Sequence, residues 1–227
     1  MIIDFAAEID RFGIDVRGVL HVGAHEGQED EHYRALNATP VYIEANPRVY
    51  ERLRRHCPNR ECHQVAISDR VGTANFHVTS MDQSSSLLEL GKHSKIYPDI
   101  VQTEQIEVQC TTINELFRGR YDEFEMMNLD IQGAELMAMK GATEVLPHLS
   151  CILTEVNRDE LYKGCATMDQ IDDFLMQFDF CRVKAAFPYH KSWGDAFYVK
   201  RSIAAASGWG PSWTERLSSF LSRRRAA

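Results

Sequence analysis

The sequence has no apolar run approaching the roughly 20 residues that cross a bilayer, so no membrane-spanning helix is expected. Its opening, Met1-Ile2-Ile3-Asp4-Phe5, lacks the basic flank and long apolar stretch of a secretory signal. Six cysteines are present: Cys57, Cys62, Cys110, Cys151, Cys165 and Cys181. None forms a C-x-x-C pair, and Cys151 and Cys181 open apolar runs. The pattern argues against a zinc site or disulfide frame and reads as reduced thiols in a cytoplasmic protein. Basic charge is also short, with Lys+Arg at 25 against Asp+Glu at 33, a net −8. That balance disfavours a nucleic-acid partner, because phosphate backbones are gripped by basic surfaces. No repeat or low-complexity tract is visible.

What is present is ordinary globular material: 227 residues, 44% hydrophobic and 26% charged. Short apolar runs alternate with amphipathic segments. Strands are expected at 17–24, 40–45, 61–67, 125–130, 151–157, 182–187 and 196–200. Segments 72–80 and 105–111 suggest additional extended structure. Asn46 before Pro47 predicts a helix start, with Pro at the first helical position. Thr112 with Glu115, and Thr167 with Gln170, predict capping boxes. Other helices are expected over 29–37 and 134–146, the latter stopped by Pro147. Strands alternating with helices imply an α/β domain, a mostly parallel sheet with helices on both faces. The last two strands have no helix between them and should pair antiparallel.

The chemistry-bearing residues gather at expected carboxyl ends of strands, where open α/β sheets bind ligands. His21-Val22-Gly23-Ala24-His25-Glu26-Gly27 closes the first strand. Glycines there allow a sharp turn and close approach to a ligand. His25 breaks the G-x-G-x-x-G spacing, which disfavours a pyrophosphate site. Glu44 lies 21 positions beyond Gly23, where a carboxylate grips ribose hydroxyls in nucleoside-binding folds. Asp130 closes the fourth strand inside Asn128-Leu129-Asp130-Ile131-Gln132-Gly133-Ala134-Glu135, and Glu135 reads as structural. Glu155 closes the fifth, and His190 and Asp195 flank the final turn.

Together these pieces resemble the FkbM family of S-adenosylmethionine-dependent methyltransferases. The likeness runs from about Gly18 to Arg201. Its most specific parts are Leu129-Asp130-Ile131-Gln132-Gly133-Ala134-Glu135, Lys140-Gly141-Ala142 and Trp193-Gly194-Asp195-Ala196. Val22 to Gly27, Tyr42 to Pro47, Ala66 to Asp69, Ser84 to Leu87 and Glu155-Val156-Asn157 also fit. The resemblance implies a Rossmann-like class I methyltransferase fold, seven-stranded with an antiparallel last strand. It also implies O-methylation, often of a sugar hydroxyl in a glycan, glycolipid or natural product. His21 and His25 depart from the acid and the Asn or Gly common at those positions.

On this reading the backbone at Gly23, Ala24, His25 and Gly27 approaches the cofactor, and Glu44 holds its ribose. Ala66 flanks the adenine, and Asp69 is near enough in sequence to reach its amino group. Asp130 faces the sulfonium. His190 is the candidate general base, with Asp195 or Glu155 orienting it or acting directly. Asp130, Glu155 and Asp195 offer the oxygen ligands Mg²⁺ prefers, but their spacing is no recognised metal loop, so a divalent metal is not favoured. The alternative is a non-catalytic nucleoside- or partner-binding module on the same fold.

The domain is expected to end near residue 201, followed by a linker at 204–208. A basic amphipathic helix then runs through Trp213, Leu217, Phe220 and Leu221 to Arg223-Arg224-Arg225. That helix suits docking on the domain or on a second copy, or weak contact with an anionic membrane surface. Five Arg and one Glu from Arg201 onward give this tail +4, leaving −12 on residues 1–200.

Overall fold

The computed structural model describes residues 2–209. Along the chain run α1 (Phe5–Phe12), β1 (Gly18–Val22), α2 (Asp30–Ala35), β2 (Thr39–Glu44), α3 (Pro47–His56) and β3 (Glu61–Gln64). Next come β4 (Ala66–Ile67), β5 (Gly72–Thr79), α4 (His93–Ile96), β6 (Gln102–Thr111), α5 (Ile113–Leu116) and β7 (Met126–Leu129). The chain continues through α6 (Glu135–Lys140), β8 (Cys151–Asn157), α7 (Met168–Met176), β9 (Phe180–His190), β10 (Trp193–Lys200) and α8 (Arg201–Ala206).

The main sheet has seven strands in the order β3-β2-β1-β7-β8-β10-β9. Its first five are parallel, and β10 is antiparallel to both β8 and β9. This is the class I methyltransferase sheet expected from the resemblance. Strands β1, β7 and β8 are buried at every residue, as a parallel sheet covered on both faces requires. Alternate side chains feed two cores. Leu20, Val22, Met127, Leu129 and Ile152 meet α5, α6 and α7 through Ile113, Met139 and Leu175. Val19, Met126, Cys151, Leu153 and Phe197 meet α1, α2, α3 and α8 through Phe5, Tyr33, Leu53 and Ala204.

Local sequence starts most helices where expected. Asn46 accepts from Arg48 N at 3.1 Å, with Pro47 in the first turn. Thr167 and Gln170 form the complete capping box. At α5 only half forms: Thr112 accepts from Glu115 N at 3.0 Å, while the Glu115 carboxylate pairs with Arg118 instead.

Several expectations are corrected. The segment 61–67 is two strands, because edge strand β3 ends at Gln64 and Ala66–Ile67 pair with Cys110–Thr111. With β5 they form a separate three-stranded sheet, β4-β6-β5. The helix expected over 134–146 ends at Lys140. Beyond it Gly141 approaches the Ser68 carbonyl so closely that an added Cβ would lie 2.3 Å from that oxygen. The final hairpin is longer than expected, with Asp195 inside β10 and only Lys191 and Ser192 between the strands. Helix α1 was not expected, although Asp4 caps its start by accepting from Ala7 N at 3.0 Å and Gly13 ends it at φ 61°.

The expected linker at 204–208 is largely helix α8. Alanine is the strongest helix former, and this run has a face to bury: Ala204 is fully covered, with Ile203 and Trp209 packed beside it. The basic segment 212–225 lies outside the described residues. No helix among the described residues is long and apolar enough to cross a membrane. Truncation after Lys200 strips cover from the second core, so a fall in melting temperature is expected. For a chain of this size it should be about 2–4 °C for each kcal/mol lost.

Candidate active site

Strand register draws the site as one row. Val22 is aligned with Ile43 and Leu129, and Leu129 with Thr154. The next positions, Glu44, Gly23, Asp130 and Glu155, therefore stand side by side at the carboxyl edge. Asp195 completes the row, because β10 pairs it directly with Glu155. All five residues line a cavity of about 800 Å³.

Gly23 makes the near half possible. It has φ +78°, and an added Cβ would sit 1.9 Å from the Asp130 carbonyl oxygen. His25 is also left-handed, at φ 48°, a region where histidine is tolerated better than branched residues. Its N–H donates to Glu44 Oε2 at 3.0 Å, and Asn46 N–H donates to Oε1 at 2.8 Å. Each Glu44 oxygen retains a lone pair for a hydroxyl donor. Burial pushes the Glu44 carboxyl up to about 7 despite these backbone donors. Beside it, Ala45, Val65, Ala66, Ile67 and Phe76 form an apolar wall suited to a flat ring.

The far half is built around Gln132, held at φ 56°. Its amide nitrogen donates to Asp130 Oδ1 at 2.8 Å and to Glu155 Oε2 at 2.9 Å. Its amide oxygen accepts from the Tyr162 hydroxyl at 2.6 Å. Ser86 Oγ donates to the Gln132 carbonyl at 2.8 Å, tying the serine loop to this turn. Glu135, inward on α6, accepts from Ile131 N at 3.0 Å and Gly133 N at 3.1 Å, the structural role expected of it. Asp195 accepts from Ile3 N at 3.2 Å and from Ile2 N, so the chain's opening segment closes one side.

The electrostatics are lopsided. No arginine or lysine among the described residues forms an ion pair with Asp130, Glu135, Glu155 or Asp195. Desolvation and mutual repulsion raise Asp130 to about 6 and hold Glu155 well above the usual carboxylate range. Burial also raises Asp195. Below them His21 accepts or donates at 3.2 Å to Tyr33, and burial lowers it to about 4, so it is neutral at neutral pH.

Of the expected residues, Gly23, Ala24, His25, Glu44, Ala66, Asp130, Glu155 and Asp195 line the cavity. Three do not. Gly27 packs on α3 instead, where an added Cβ would meet Cys57 Sγ at 2.7 Å. Asp69 is exposed and accepts from its neighbour Ser68. His190 sits at the hairpin turn, where its Nδ1 accepts from Ser192 N at 3.2 Å. It closes β9, one strand beyond the row. Gln132, His93, Tyr97 and Ile2 line the cavity but carry no spacing that singles them out. Only Gln132 lay within a quoted motif. Among the described residues no group of three or more His, Cys, Asp or Glu side chains is placed to hold a metal ion.

The model of the methyltransferase FkbM domain matches residues 21–182. The 2-O-methyltransferase NoeI of Sinorhizobium fredii (strain NBRC 101917 / NGR234) is 26% identical over 189 residues, covering 75% of this chain and 74% of that protein. Among solved structures, magnesium protoporphyrin IX methyltransferase (ChlM) from Synechocystis PCC 6803 has 8% identity and a TM-score of 0.48. The match covers 86% of this chain and 76% of that one. A TehB-like S-adenosylmethionine-dependent methyltransferase from Corynebacterium glutamicum has 10% identity, a TM-score of 0.43 and 86% coverage of both chains. With its sheet order and its match across most of the sequence, the chain belongs to the FkbM methyltransferase family.

Proposed function

We propose that this methyltransferase acts on a hydroxyl of a sugar, with S-adenosylmethionine as methyl donor. The observation that carries the reading is the buried row of carboxylates with no arginine or lysine partner among the described residues, set beside an apolar wall and a glycine turn. Such a row calls for a cation, and burial makes that attraction strong. S-adenosylmethionine supplies an electrophilic methyl group on a cationic sulfonium. Gly23 and Ala24 present backbone to the cofactor, in a turn that only glycine at position 23 allows. Glu44 accepts from ribose hydroxyls, and the wall around Ala66 flanks the adenine. Asp130 sets its charge toward the sulfonium, held in place by Gln132.

Most of the rate gain then comes from positioning, because the leaving group is already good. The acceptor hydroxyl must still give up its proton. Glu155 and Asp195 lie adjacent on the row, and a raised carboxyl pKa makes the ionised form a better proton acceptor. His190, away from the cavity, is not assigned this step. A hydroxyl acceptor is supported by the relative named for 2-O-methylation, and its being a sugar by the many hydrogen-bond acceptors in the cavity, which suit a polyol.

Transfer of labelled methyl from S-adenosylmethionine to a panel of methyl pyranosides and short oligosaccharides tests the reading. Incorporation into at least one sugar is expected, and label passing only to non-sugar acceptors would contradict it. In the same assay Glu155→Gln and Asp195→Asn are each expected to lower kcat about 100-fold or more. His190→Ala is expected to retain turnover. Activity is expected to survive treatment with EDTA.

A pH dependence follows from the raised carboxyls. Asp130 is charged only above about pH 6, so affinity for the cationic cofactor falls as pH drops through that value. S-adenosylhomocysteine, whose sulfur is neutral, should lose less. Both Kd values against pH by calorimetry check this, and parallel curves would remove the sulfonium contact with Asp130. The same shifts favour the folded, cofactor-free protein at low pH, and that contribution is lost as pH rises through about 6–7. The thermal shift on adding S-adenosylmethionine should therefore be larger at about pH 8 than at about pH 5.5.

A further inference from the structure

The cavity has a second half that neither the cofactor nor the carboxylate row explains. Its rim is aromatic. Tyr189, near the end of β9, is 74% exposed, unusual for a large ring. It stacks on Trp193 with centroids 6.0 Å apart and planes inclined by 29°. Trp193 is locked in turn, because its indole N–H donates to the Tyr97 hydroxyl at 3.0 Å. All three rings line the cavity mouth.

Deeper in the same half stands His93, at only 5% exposure. Its ring lies 5.2 Å from Tyr97 and 5.4 Å from Tyr162. Its backbone is pinned, with His93 N donating to the Leu161 carbonyl at 3.1 Å. The imidazole lines the cavity, yet its buried Nδ1 has no hydrogen-bond partner. An orphaned buried polar atom costs free energy unless a ligand or water completes it. A hydroxyl both donates and accepts, so it suits the imidazole in either tautomer.

We infer that Tyr97, Tyr189 and Trp193 form a stacking platform for one pyranose ring of the acceptor, with His93 as a hydrogen-bond partner for its hydroxyls. The inference rests on the sugar reading above and deepens it. A pyranose has an apolar C–H face and a hydroxyl edge, and this half of the cavity has the matching pair. Aromatic rings offer the flat apolar surface, and Glu155, Asp195, Ser84 and His93 offer polar partners on the inner side. A phenol or a catechol would also stack, but one or two hydroxyls in the ring plane leave most of those buried acceptors without a donor.

Tyr189 is the cleanest probe, since so exposed a side chain can be changed without disturbing the core. The test uses full-length protein and whichever methyl pyranoside the wild type methylates, with catechol as the phenolic comparison. Tyr189→Ala is expected to raise KM for the sugar about three- to tenfold, the span of one aromatic contact, with kcat within about twofold. Tyr189→Phe is expected to restore the wild-type KM, because stacking does not need the hydroxyl. His93→Ala is expected to raise KM as well, and Kd for S-adenosylhomocysteine is expected to stay unchanged in all three variants. If the wild type methylates sugar and Tyr189→Ala has an unchanged KM, the platform is wrong and the sugar reading stands. If the wild type binds the cofactor but methylates catechol and no pyranoside, both fall.

Discussion

The repulsion among carboxylates buried at one sheet edge is the constraint around which the rest of this protein is arranged. Asp130, Glu155 and Asp195 follow one another across three adjacent strands, with Glu135 close behind. Burial alone makes each charge costly, and their neighbours make it costlier. Among the described residues the chain answers with dipoles rather than with arginine or lysine. The Gln132 amide spans Asp130 and Glu155, and backbone N–H groups of Ile2, Ile3, Ile131 and Gly133 serve Asp195 and Glu135. On the proposed function, the remaining deficit is what a cationic ligand would relieve, which would link binding free energy to site strain.

That arrangement depends on backbone held in sparsely populated conformations. Gly23, His25, Gln132 and Gly133 all have positive φ, and all flank the row. At Gly23 the strand-end turn comes so near the Asp130 carbonyl that no side chain fits. Gln132 adopts the same region without being glycine, and its three hydrogen bonds account for the hold. Such positions are retained where surrounding structure over-determines them. The serine loop contributes by anchoring Ser86 to the Gln132 carbonyl.

The two halves of the cavity differ in kind. The half near β1 and β2 is a glycine turn, the Glu44 carboxylate and an apolar wall, supplied by the ends of β1 and β2 together with β4 and β5. The half near β8 and β10 draws on segments far apart in sequence, including the opening residues, α4 and the last hairpin. Continuous local motifs built the first half, so it was legible in advance. In the second half, motifs marked Glu155 and Trp193 to Asp195 at the strand ends, but no motif marked the residues that α4 brings to them. Nothing in the spacing of His93, Tyr97, Tyr162 and Trp193 marks them as neighbours, and only folding brings them together.

The amino-acid order by itself determined the alternation of strands and helices, the antiparallel last strand and the strand-end positions of Glu44, Asp130 and Glu155. Those follow from periodicity, caps and short connections, which are local physics. It also pointed to His190, Gly27 and Asp69, because nearness to a strand end cannot reveal which residues the folded chain turns toward the cavity. Tertiary structure decided that. Strand register set Asp195 beside Glu155, the His190 imidazole settled against Ser192, and the alanine run after Lys200 became helix because the second core had a face to cover. Register and packing are relations between distant segments, and they exist only once the sheet has formed.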